Sequence, residues 1–98
     1  MAQFDVFRAT DGGLLVDCQS DALAYLATRL TAPLMPLSKA PEGRPRINPV
    51  FDIFDEPHVL VTQFAASIRK TELRRRVADL TPYRLEIVSA FDVLLTGV

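Results

Sequence analysis

Apolar and polar residues alternate with period two near the start of the chain and follow a helical period near its end. Residues 3–8 put Phe4 and Val6 on one face and Gln3, Asp5 and Phe7 on the other, which predicts a strand. Thr10-Asp11-Gly12-Gly13 is a turn signal, because glycine accepts positive φ without steric cost. The alternation resumes at Leu14, Val16 and Cys18 against Leu15 and Asp17, completing an N-terminal hairpin. Ser20 or Asp21 can cap a short helical turn over residues 22–27, and a compact loop is the alternative. Residues 31–37 carry Pro33 and Pro36, which lack ladder donors, so an edge strand or extended segment is predicted there. Residues 38–49, with Pro41, Gly43, Pro45 and Pro49, read as a loop.

A second hairpin is predicted from residues 50–54 and 58–64, joined by Asp55-Glu56-Pro57. Residues 68–80 have helical propensity, with Ile68, Leu73, Val77 and Leu80 apolar, and an extended path is the alternative. For the last element, Thr81 suits an N-cap, Pro82 the first helical position and Gly97 the stop. Ile87, Phe91, Leu94, Leu95 and Val98 form its apolar stripe. Val88 and Val93 fall off that stripe and Leu85 is only partly accounted for, an apolar surplus that predicts a second packing partner, most simply a twofold copy. Strands first and helix last predict a single small antiparallel α+β domain over residues 1–98. The helix brings Gly97 and Val98 to the end of the chain, where they are expected to be either buried or presented to a partner.

Composition narrows the function. A net charge of −1 gives no overall pull toward nucleic acid or a membrane surface. Val93-Leu94-Leu95 is far too short to span a bilayer. The first residues, Met-Ala-Gln-Phe-Asp-Val, resemble no signal peptide, and a single cysteine sets up no disulfide framework, so a cytoplasmic location is expected. One cysteine and one histidine cannot complete a Cys/His zinc site, and no cofactor motif is present. His58, near Asp52, Asp55 and Glu56, is the one candidate for acid–base or metal chemistry, against the plainer reading of a solvated turn. Cys18 reads as structural, and Arg74-Arg75-Arg76, with Arg69 and Lys70, as a solvated face that could attract phosphate or an acidic protein segment. Asp92, among apolar residues, is expected on the outer face. Nothing in the chain asks for an enzyme.

These residues resemble the CcdB family, toxins of plasmid and chromosomal toxin–antitoxin systems that serve plasmid maintenance. Gln3-Phe4-x-Val6-Phe7 and Val16-Asp17-x-Gln19-Ser20-Asp21 match the family's opening, and Arg29 and Pro33-Leu34 fall at its Arg and Pro-Leu positions. From Pro49 on the likeness runs without a gap, through Ile53, Asp55-Glu56, Thr62, Ala66-Ser67, Val77-Ala78-Asp79-Leu80, Ile87, Ala90 and Gly97. The resemblance implies a small antiparallel SH3-like barrel, shared with the MazF and Kid toxins, closed by one C-terminal helix. It implies extended structure over residues 68–73 and a homodimer with its terminal helices close together. It also implies a topoisomerase poison: a gyrase inhibitor that enters the A subunit of DNA gyrase and traps the enzyme on cleaved DNA, without binding nucleic acid directly. The gyrase contacts carried over are Ala22, Leu23, Asp92, Leu95, Thr96, Gly97 and Val98. Those to a CcdA-like antitoxin are Phe7, Ser20, Ala22, Leu23, Asp92 and Thr96. Two alternatives are a ribonuclease resembling MazF or Kid, for which His58 and the arginine run offer material, and a non-toxic antitoxin-binding relative. Thr96 motivates the latter: the family's plasmid-borne member has a tryptophan there, and its loss removes a cation–π contribution of about 0.5–2 kcal/mol.

Overall fold

Seven short strands and one helix are present in the computed structural model, which describes residues 1–97. The strands are β1 (Asp5–Arg8), β2 (Leu14–Asp17), β3 (Thr28–Pro36), β4 (Val50–Ile53), β5 (Glu56–Leu60), β6 (Ala66–Arg69) and β7 (Arg75–Asp79). The helix, α1 (Arg84–Thr96), comes last. All pairings are antiparallel, in the order β4-β5-β3-β2-β1-β7, with β6 beside the first half of β3. The result is a curled, half-barrel sheet with a single C-terminal helix, the small α+β architecture predicted above.

The first hairpin forms as its pattern dictates. Val6 lies opposite Val16, and Val16 opposite Ala32, so the buried positions of three strands stack in one layer. Gly12 takes φ +89° in the connecting turn, and the Asp11 carboxylate accepts the Gly13 N–H at 2.8 Å. Phe4 precedes β1 with φ +71°, an uncommon state for a bulky residue. It is held there by backbone bonds to Asp17 and Leu80 and by the Arg84 guanidinium 5.7 Å from its ring.

Two predicted elements differ. Residues 31–36 belong to a central strand, not an edge, and Leu37 opens a 3-10 turn: β3 is flanked by β2 on one side and by β6 and then β5 on the other. Its prolines fit because of where their missing donors would point. The Pro33 carbonyl accepts Val61 N–H at 2.9 Å, on the side where β6 has ended and β5 begins. Alternation then directs Pro36 toward β2, which has already stopped opposite Leu34. The second hairpin turns at Phe54-Asp55 instead of residues 55–57. Both residues adopt left-handed φ, +54° and +62°, in the two-residue turn whose twist suits a hairpin. The Arg8 guanidinium, 5.8 Å from the exposed Phe54 ring, helps hold this strained corner.

Residues 68–80 follow the extended alternative. β6 ends at Arg69, a 3-10 turn covers Lys70–Glu72, and β7 pairs with β1. Helical propensity loses here to ladder bonds on β3 and β1. The helix lays Ile87 and Ala90 into the core, with Phe91 and Val93 half-buried. Leu95, predicted on the inner stripe, points to the opposite face, and Gly97 stops the helix at φ +79° with its N–H bonded to Val93.

Candidate functional site

Two elements carry the residues singled out from the sequence. The first is the loop after β2. Ser20 caps its 3-10 turn, Asp21–Leu23, by accepting the Ala22 N–H at 3.2 Å. Gln19 staples the loop twice, donating to the Leu23 carbonyl and accepting the Leu30 N–H. Ala22 and Leu23 are thereby presented to solvent on a fixed backbone.

Beneath the loop lies an ion pair. Arg29, 1% exposed, meets the fully buried Asp17 at 2.6 Å and approaches Asp21 at 3.9 Å. Asp17 also accepts the Gln19 N–H. Gln3 then ties the loop to the helix: its N–H donates to Asp21 at 2.8 Å, and its side-chain oxygen accepts from Arg84 at 2.7 Å. Gln3, Asp17 and Arg29 were legible as members of a matching pattern, but not as the framework that positions the loop.

The second element is the outer face of α1. Asp92 is exposed, as its place among apolar residues predicted, and Leu95 is 79% exposed. The Thr96 hydroxyl donates to the Asp92 carbonyl at 2.6 Å, closing the last turn. Gly97 is exposed, while Val98 lies outside the described residues. Arg84 stands at the start of the helix, and Thr96 is roughly 18 Å further along at 1.5 Å per residue. Gln3 therefore joins the loop to the base of the helix, not to its tip. Phe7 does not join either element: it is 4% exposed in β1, out of a partner's reach in this conformation.

The remaining candidates resolve into structural roles. His58 is no solvated turn residue. It is 6% exposed in β5, with Nδ1 2.9 Å from the Glu56 carbonyl. Among the described residues, no three His, Cys, Asp or Glu side chains gather to hold a metal. Cys18 is half-buried, and burial pushes its thiol up to about 12, with the Asp17 charge adding to the effect. In the arginine run, Arg76 bonds Asp5 at 2.9 Å and Arg74 bonds the Thr71 carbonyl, while the run stays exposed. The Asp5 carboxylate raises the Arg76 guanidinium further above its ordinary value. An apolar groove of about 580 Å³, lined by Leu14, Leu15, Pro33, Met35, Phe64 and Ile68, contains none of the predicted site residues. No helix among the described residues is long and apolar enough to cross a membrane.

A half-barrel sheet whose last helix turns large apolar side chains outward defines a class: small α+β proteins with a helical contact surface. The family model described as CcdB protein matches residues 3–97. The chain belongs to the CcdB family, and so to the toxin side of toxin–antitoxin systems. No curated protein matches it.

Proposed function

We propose that this protein is a cytoplasmic toxin of the CcdB type that acts by binding and not by catalysis. Its target is the A subunit of DNA gyrase, which it holds on cleaved DNA, and a co-encoded antitoxin neutralises it. It works as a homodimer, bringing two helix tips to one target. The observation that carries this reading is the family match over residues 3–97, joined to the exposure of Ala22, Leu23, Asp92 and Leu95 on a fixed loop and a helix. With Phe7 buried, the antitoxin's contacts rest on Ser20, Ala22, Leu23, Asp92 and Thr96.

Threonine at position 96 offers no aromatic face, so gyrase binding is weaker than a tryptophan at that position would give, by about tenfold or more. The test is DNA cleavage by gyrase from the protein's own host, together with a gyrase pull-down by wild type and by Thr96→Trp. Wild type should promote quinolone-like cleavage, and the substitution should tighten binding. Absence of both cleavage and binding, in wild type and variant alike, rejects gyrase as the target.

A further inference from the structure

The outward side of α1 carries a pattern the fold itself does not use. Leu85, Val88, Asp92 and Leu95 recur at steps of three, four and three residues, within about 80° of one another on a 3.6-residue helix. Ile87 and Ala90, which enter the core, lie on the opposite side. Leu85 is 81% exposed, matching the exposure of Leu95 near the other end. This spacing is the a/d seam with which one helix receives another. In its middle sits a single carboxylate, and among the described residues the Asp92 side chain has no hydrogen-bond or ion-pair partner.

That carboxylate decides what can cover the seam. A second copy laid parallel would set Asp92 against Asp92, two like charges leaving water together. Laid antiparallel over the same stretch, it would bury Asp92 against Val88, a carboxylate against a hydrocarbon. A helix with lysine or arginine at the facing position instead gives the carboxylate a partner and leaves Leu85, Val88 and Leu95 to apolar contact. We infer that the outer face of α1 docks an amphipathic helix of another protein, one with apolar residues at heptad spacing and a basic residue opposite Asp92. The inference rests on the binding role proposed above and names the side-chain chemistry of the partner.

The test uses the full chain and labelled synthetic helical peptides of three heptads, with leucine at the seam and lysine, glutamine or glutamate at its centre. Fluorescence anisotropy should rank lysine first, at least about tenfold tighter than glutamate in low salt, with the gap shrinking as ionic strength rises. Asp92→Asn should flatten the ranking and Asp92→Lys should reverse it. Leu85→Glu with Leu95→Glu should abolish binding of every peptide with an unchanged circular dichroism spectrum, since both side chains are exposed. Equal affinity for the lysine and glutamate peptides, or no binding at all, overturns the inference. So does sedimentation showing that the double glutamate variant loses a wild-type dimer, which would assign this face to a second copy. Gyrase cleavage is read separately: a lost peptide ranking with intact cleavage removes this inference alone, and the reverse removes only the target.

Discussion

Cys18 and Arg29 show how far a single residue's fate depends on its surroundings. The Cys18 thiol sits 3.5 Å from the Val16 carbonyl beside the buried Asp17, and its raised pKa keeps thiolate scarce at neutral pH. Ellman's reagent at pH 8 should therefore label the native protein slowly and the guanidinium-unfolded protein fully; prompt native labelling would contradict this. Its structural role was readable from its apolar neighbours. Arg29 was not readable in the same way, because a charged residue is almost never fully buried unless paired, and its partner lies in another strand. Beyond the ion pair, Arg29 Nε and Nη2 and Asp17 Oδ2 make no hydrogen bond among the described residues. Removing one partner leaves the other charge stranded, so Arg29→Met or Asp17→Asn should cost about 3–5 kcal/mol in urea denaturation. Replacing both, with Asp17→Leu and Arg29→Met, should recover much of that loss. A loss in the double variant equal to the sum of the single losses would show that the pair is not coupled.

At the scale of elements, α1 begins later than its sequence suggests, because a 3-10 turn, Thr81–Tyr83, precedes it. Thr81 was the predicted cap, yet it opens that 3-10 turn and no side chain caps α1; the Asp79 carboxylate instead fixes the approach to the turn by accepting the Thr81 N–H at 2.8 Å and the Thr81 hydroxyl as well. Those bonds, the hydroxyl's first, hold the Asp79 carboxyl below its ordinary value. A carboxyl depressed by folding stabilises the fold above its unfolded value, about 3.9, and that contribution fades as pH falls through the lower folded value. Asp79→Ala should accordingly lower stability at pH 7, by no more than about 1 kcal/mol because water screens this exposed carboxylate, and change little at pH 2, as thermal melts across that range will report. A penalty independent of pH would mean that the hydrogen bonds do not involve the charged form. Other elements failed for related reasons. Local composition places two prolines at an edge, whereas their tolerance in β3 depends on which neighbouring strand is present at each position. The turn at Phe54-Asp55 has neither glycine nor asparagine to announce it, and a contact with Arg8 from another hairpin supports it.

The whole molecule divides its apolar residues between a core that closes the half-barrel and a helix face turned outward. The class of fold was legible in period-two strands followed by a period-3.6 helix with Gly97 at its stop, because strand alternation and backbone freedom are local properties. The outer position of Asp92 and the apolar surplus of the helix were legible too, since more large side chains were available than one stripe could bury. Which leucines supply that surplus was not. Leu94 and Leu95 are adjacent in sequence, and only the docking of Ile87 and Ala90 against the sheet turns the second of them outward. Nor could the chain alone hide Phe7, link the β2–β3 loop to the base of the helix through Gln3, or pull residues 68–80 out of a helix. Each of these depends on partners distant in sequence: β7 and β2 around β1, Asp21 and Arg84 around Gln3, β3 beside Ile68 and Arg69 and β1 beside residues 75–79. The sequence by itself determined the periods, the caps and turns built from nearest neighbours, and the amount of apolar surface to be covered. Tertiary structure decided which surface is covered, because burial is a property of packed elements and no residue carries it alone.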